Sequence, residues 1–277
     1  MADIKKLGFE GAVRISLDGG SAAQLLATSG ALQGESSKPT FIGVDMPPPP
    51  SDGTAGDNRS KFVYSEGTLV VTGSVSFDCT EEVLPIVAAL CTGRGQRFTV
   101  GIAGGEVGRR LQRCYMTTLT LSGATNGLVT ASLSFVSASD LEVGAGFTPV
   151  KRDPSSSTYQ EPLAYWYTGG PTASTDIKDW SLSVSQNATP VFGNVAGVSP
   201  LYIRIGVMDA SLTVNTYLEL QEIDEVSIAT QTVTIVAGYE KSREFTLSPS
   251  DLETFTYTFE SMLDPAGGSS GDIITFE

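Results

Sequence analysis

The chain has 277 residues, with 17 Lys/Arg against 31 Asp/Glu, a formal charge of -14 and a pI of about 4.4. An acidic chain of this kind is a poor candidate for gripping nucleic-acid phosphates or anionic lipid. It contains no histidine, which removes His-based triads, Cys–His nucleophile pairs and most transition-metal sites.

The length fits one large or two ordinary domains. Charge is uneven: residues 1–150 hold 11 Lys/Arg and 14 Asp/Glu, while residues 151–277 hold 6 and 17. Cys79, Cys91 and Cys114 have no paired spacing, so buried free thiols are expected rather than a disulfide framework. The N-terminal MADIKKLGFEGAV lacks the apolar core of a secretory signal, and no window reaches the length of a membrane-spanning segment. A soluble protein made in a reducing cytoplasm is the expectation.

Val13, Ile15 and Leu17 alternate with Arg14 and Ser16, the period of a half-buried strand. Asp18-Gly19-Gly20 ends it. AAQLLATSGAL, residues 22–32, fits either a short helical turn or an irregular strand. MPPPPSDGTAGDN, from Met46 to Asn58, suits neither helix nor inner strand and reads as a long exposed loop, either a disordered excursion or an interaction arm. Leu69, Val71, Gly73, Val75 and Phe77 fall on one face of a strand. Glu81 and Glu82 then precede Val83, Leu84, Val87, Ala88 and Cys91, which repeat at helical spacing. Pro85 in the first turn and Gly93 at the end limit this helix to a short one.

Phe98, Val100 and Ile102 make the next strand, and the glycine-rich run from Gly101 to Gly108 reads as a turn. It opens no helix, so it fails as a phosphate cradle. Arg94, Arg97, Arg109, Arg110 and Arg113 gather here, as a surface for an acidic neighbour more readily than a nucleic-acid patch. From Tyr115 to Val136 runs a long hairpin. Leu119 and Leu121 are followed by Val129, Ala131, Leu133 and Phe135, all alternating with Thr or Ser, and Asn126-Gly127 supplies positive φ at the turn. The Thr/Ser face suits water or a neighbouring subunit better than a core.

DLEVGAGFTPVKRDPSSSTYQ, residues 140–160, has the composition of a linker. Beyond it, Trp180, Leu182 and Val184 alternate, Ser185 to Pro200 reads as a polar loop, and Ile203, Ile205 and Val207 alternate again. Leu212 and Val214 follow, then Val226, Ile228, Val233 and Ile235. Phe255, Tyr257 and Phe259 form an aromatic strand, and the Gly/Ser-rich tail from Asp264 is expected to be mobile. The two halves share an order of events, an early strand, a long Pro/Gly loop, long strands and a Thr-rich ribbon, as in a diverged duplication. Glu222, Asp224 and Glu225 cluster, as do Glu81 and Glu82, but adjacent acids are usually solvated. No opposed pair as in a glycosidase is legible. No enzymatic activity, cofactor or metal is expected.

The run FVYSEGTLVVTGSVSFDCTEEVLPIVAAL, Phe62 to Leu90, and the region from Gln96 to Ser139 ending in TNGLVTASLSFVSAS together resemble the tail tube proteins of tailed bacteriophages. Residues 177–194 and 201–262 cover the same ground more loosely, without an obvious copy of the Val83–Cys91 helix. The resemblance implies a mainly β chain of two tandem tube-type β-sandwich or split-barrel domains, with a short flanking helix at least in the first. Residues 1–145 would form the first domain, 146–162 a linker, and 163–277 the second domain with its mobile tail.

The resemblance implies a virion protein, assembled in the host bacterial cytoplasm, whose hairpin strands join neighbouring subunits into rings. Three copies would make a pseudo-hexameric ring, and stacked rings a tail tube that conducts DNA without binding it specifically. Partners would be further copies of itself and other phage tail proteins. The loop carrying Met46, Pro47, Pro48, Pro49, Pro50 and Asp52 would contact the next ring, and Arg94, Arg97, Arg109, Arg110 and Arg113 would face acids of a neighbouring copy. The alternatives are a tube-end or baseplate adaptor and, in another class, a carbohydrate- or ligand-binding β-sandwich using Tyr165, Trp166 and Tyr167.

Overall fold

The structure, a computed structural model, describes residues 12–36, 40–44, 61–65, 69–104, 107–124, 127–139, 142–143, 162–163, 177–192, 199–217, 225–228, 231–235, 238–246, 253–261 and 274–276. Strands β1 (Ala12–Leu17), β2 (Ala22–Ser36), β3 (Thr40–Val44), β4 (Lys61–Ser65) and β5 (Leu69–Asp78) precede helix α1 (Leu84–Thr92). Strands β6 (Arg97–Gly104), β7 (Val107–Ala124), β8 (Thr130–Ser137) and β9 (Glu142–Val143) follow. The later strands are β10 (Ile177–Val191), β11 (Tyr202–Thr216), β12 (Glu225–Ile228), β13 (Gln231–Ile235), β14 (Gly238–Thr246), β15 (Thr254–Ser261) and β16 (Ile274–Phe276). The protein is mainly β, with one short helix among the described residues.

Alternation explains most of these strands. Val13 and Ile15 are buried while Arg14 between them is exposed, and Trp180, Leu182 and Val184 are buried while the serines between them are half-exposed. Residues 22–32 resolve as strand rather than helical turn, with a bulge between Ala27 and Ser29. Helix α1 carries Pro85 in its first turn and ends at Gly93, as its spacing predicts. Glu81 and Glu82 lie outside it, in the preceding turn, where Val83 and Leu84 N–H both donate to the Thr80 carbonyl. The β7–β8 hairpin pairs Leu119 with Leu133 and Leu121 with Ala131. Gly127 does not take the positive φ expected of it, and Asn126 lies outside the described residues.

All pairings in the main eleven-stranded sheet are antiparallel, and six strands close on themselves: β7–β6–β1–β2–β5–β8–β7. This closure is what a barrel requires. Strand β7 is long enough to serve two partners along one edge. Its first part, Val107 to Tyr115, pairs β6, and its last part, Thr118 to Ala124, pairs β10. From β10 the sheet continues outward through β11 and β15 to β14. Smaller sheets form from β12–β13–β16 and from β3–β4.

The sheet therefore runs across the expected linker, because β10 pairs β7 in register from Asp179↔Ala124 to Ser185↔Thr118. Leu163 N–H donates to the Cys79 carbonyl at 2.8 Å, and the Leu163 carbonyl accepts from Val129 N–H at 2.9 Å. One apolar cluster joins Val13, Phe98 and Leu119 of the first half to Trp180, Tyr257 and Ile274 of the second. Burying each large side chain of this kind contributes roughly 1.5–3 kcal/mol. Residues 146–161 lie outside the described residues.

Three expectations need correction. The loop expected from Ser185 is strand as far as Val191, because the β10–β11 ribbon continues past β7. The tail expected to be mobile contains β16, which pairs β13 and buries Ile274 near α1. Burial along β11 also changes parity: Ile203 is buried, then Met208, Ala210, Leu212 and Val214 are, and Val207 is 45% exposed. The register shift between Gln186 and Ala188 absorbs the change.

Candidate functional site

The face of the sheet opposite the core is a lattice of hydroxyls and carboxylates. One row passes through cross-strand partners on six strands: Ser76, Ser132, Thr120, Ser183, Ser211 and Glu260. A second runs Thr130, Ser122, Ser181, Thr213, Thr258 and Ser242. Directly opposed side chains in a sheet lie close enough to bond. Ser122 and Thr130 hydroxyls are 2.9 Å apart, Ser76 donates to Ser132 at 3.4 Å, and Thr256 donates to Asn215 Oδ1 at 2.6 Å. Asn215 in turn donates to Asp179.

The charged members of this face are mostly acids: Asp179, Asp209, Glu244 and Glu260 occupy its rows. Lys241 stands beside Glu260, and Tyr239 donates to the same carboxylate at 3.0 Å. The Lys241 hydrogen bond is the largest cause holding the Glu260 carboxyl below its ordinary range, and the Glu260 hydrogen bond is the largest cause raising the Lys241 ammonium and the Tyr239 phenol above theirs. Two shallow depressions lie on this face, one over Ser74, Thr72 and Ser134, the other over Ser183, Asp209 and Glu260. They are open hollows between short side chains rather than enclosed pockets.

The fork where β10 replaces β6 beside β7 is closed by one buried side chain. Gln186 Oε1 accepts from Gly95 N–H at 2.9 Å, and Gln186 Nε2 donates to the Met116 carbonyl at 3.3 Å. Both backbone groups lie where neither neighbouring strand satisfies them, which is why a buried amide belongs there. Gly95 has φ +73, and Ile205 lies against it at 3.4 Å from the position a Cβ would take. Nearby, Ala188, Ile203 and Ile205 pack on Tyr115, Val136 and Ala138 as a second apolar cluster.

The five arginines divide. Arg94 Nε donates to the Gly206 carbonyl at 3.0 Å, and Arg113 Nη2 donates to the Leu201 carbonyl at 3.3 Å, so both reach the second half of their own chain. Arg113 holds φ +51, a left-handed conformation for a non-glycine residue, and its carbonyl accepts from Ala138 N–H. Beside this kink, Ser137 donates to the Gln112 carbonyl at 2.7 Å, and Gln112 N–H donates to the Ser139 hydroxyl at 3.1 Å. Arg97 pairs with Asp18 at 3.2 Å. Arg109 and Arg110 are exposed on β7 and have no ion-pair partner among the described residues. The expected contact loop from Met46 to Asp52 and the Tyr165–Tyr167 cluster lie outside the described residues.

All three cysteines are free and buried. Burial pushes the Cys79 and Cys114 thiols up to about 12, and Cys91 higher still, so they remain protonated at neutral pH. Among the described residues there is no group of three or more His, Cys, Asp or Glu placed to hold a metal ion. No helix among them is long and apolar enough to cross a membrane.

The residue missed in the sequence was Gln186, which looks like any polar residue of a loop. The acids of the polar face were missed because attention to the apolar half of each alternation passes over the other half. The polar half of the alternation that those acids extend is legible in SLSVSQ and SLTVN, residues 181–186 and 211–215. No family model matches the chain, and no curated protein matches it either.

Proposed function

We propose that this chain is a structural subunit that assembles with copies of itself into rings, stacked as a phage tail tube through which DNA passes. The observation that carries the reading is the polar face. Eight consecutive strands (distal β2, β5, β8, β7, β10, β11, β15 and β14) present short hydroxyls and scattered acids on one side, and the six from β5 to β15 bury the apolar core on the other. A wall of this kind hydrates well, offers few cations to phosphate and has nowhere to hold a small ligand deeply. Curved into a ring, it forms a lumen that lets a polyanion slide. In this reading the two halves of the chain act as tandem tube-type units, so three copies complete a pseudo-hexameric ring in the virion tail.

Electron microscopy of the purified protein in negative stain across concentration, with mass measured in parallel, tests this. Rings with a central hole, or hollow tubes, built from threefold sets of chains are expected. Rings that never stack would assign the chain to a tube end. A compact monomer at every concentration would overturn the proposal.

A further inference from the structure

The polar face ends at two strand edges that no described strand covers. One is β14, which pairs only with β15 and is exposed on both faces from Tyr239 to Thr246. The other is the distal half of β2. Strand β1 pairs it only from Ala22 to Leu25, while β5 takes its opposite edge from Leu26 to Ser36. An uncovered edge is a row of N–H and C=O groups ready to pair with another chain, and ring closure is the arrangement that leaves none.

These two edges are complementary. Successive antiparallel pairings from β2 through β5, β8, β7, β10, β11 and β15 to β14 leave the two end strands running in opposite directions. A copy rotated about an axis along the strands therefore brings its β14 antiparallel to the β2 of its neighbour, as a ladder needs. The faces agree as well. Ala31 and Gln33 of β2 stand opposite Ser74 and Thr72, while Ser242 and Glu244 of β14 stand opposite Thr258 and Thr256, all on the polar side. A two-fold β14–β14 dimer is also antiparallel, but it leaves both β2 edges bare and cannot extend.

Resting on the ring reading above, we infer that the seam between neighbouring copies is a β-ladder between the distal half of β2 in one copy and β14 in the next. The bulge between Glu240 and Ser242, with Lys241 turned to Glu260, blunts the first part of β14. The regular run from Ser242 to Thr246 is left for pairing.

Cross-linking of the full-length chain tests the seam. Ala31→Cys chains are mixed with Ser242→Cys, Glu244→Cys or Thr246→Cys chains, assembled and oxidised. The three natural thiols stay out of the reaction because they are buried. At least one mixture is expected to yield a reducible cross-linked dimer that neither variant gives alone. Rings in the microscope without a cross-link in any mixture would overturn the seam and leave the ring reading standing. A cross-link that a β14 variant gives by itself, with no additional Ala31→Cys-dependent species in the mixtures, would replace the seam with the two-fold dimer. Neither rings nor cross-links would overturn both.

Discussion

Trp180 of β10 covers the α-carbon of its cross-strand partner Gly123 in β7, so a methyl group at 123 would sit 2.7 Å from the indole Nε1. Trp180 is 1% exposed, and the pair lies where the outer strands join the closed six. Gly123→Ala is expected to destabilise the fold by about 1–3 kcal/mol through overpacking. Trp180→Ala should cost about 3–5 kcal/mol by leaving a cavity. Urea unfolding midpoints measure both, and an unchanged midpoint for Gly123→Ala would contradict the packing described.

Gln186 is the polar counterpart of that contact. Gln186→Leu keeps the volume and orphans both Gly95 N–H and the Met116 carbonyl, at about 1–3 kcal/mol for each buried group. Gln186→Glu keeps the acceptor for Gly95 and loses the donor to Met116. Amide hydrogen exchange should show Gly95 losing protection in the leucine variant and retaining more of it in the glutamate variant. Equal exchange in all three proteins would show that the amide does not hold the fork.

The fork also shows how far the sequence alone could be read. Alternation located the strands carrying Val13, Phe77, Phe98, Leu121, Leu133, Trp180 and Tyr257, because period 2 is a property of a single segment. It could not show that β7 changes partner at Met116, since partner choice depends on which distant strand arrives. The parity change in β11 is visible in the sequence, since apolar residues stand at 203, 205 and 207 and then at 208, 210, 212 and 214, but that Gly206 and Val207 bulge together opposite Asn187 required the register. The Thr/Ser face was legible on one hairpin, and its extension over eight strands required the registers.

Arg109 and Arg110 are exposed and make no ion pair among the described residues, so reversing both to Glu should cost the fold no more than about 1 kcal/mol, chiefly from the like charge set opposite Glu142. In the proposed assembly the same change blocks tube growth, because the acids these arginines face on a neighbouring copy would then be repelled. Unfolding curves and microscopy together separate the two effects. Normal tubes from the double variant would remove these residues from the interface.

The cysteines give the protein an alkaline limit. Their folded-state values lie above the ordinary value near 9, raised mainly by burial. Between about 9 and 12 the unfolded chain releases these protons while the folded chain keeps them. Their contribution is thus fully present below pH 9 and falls as pH rises through that window. Folded protein at pH 8 should resist a thiol reagent and react at all three positions in urea. Denaturation midpoints of a variant with the cysteines replaced by Ala or Ser should decline less steeply above pH 9.

Thr80 is fully buried and its Oγ1 has no hydrogen-bond partner among the described residues, although its carbonyl accepts from two amides at the start of α1. Thr80→Val keeps the shape and removes the stranded hydroxyl. Thermal melting should show stability gained by about 1 kcal/mol, and a clear loss would mean that the hydroxyl is bonded in solution.

The two bare edges stand far apart in the order of synthesis. Strand β2 ends at Ser36, whereas β14 begins at Gly238. At ribosomal speeds of roughly 5–20 residues per second, about 10 seconds or more pass between their emergence. A nascent or truncated chain can therefore offer one edge and never both. In the proposed ring such a chain could join at one side only and would end growth there, so translation through β14 is a condition for continuing the ring.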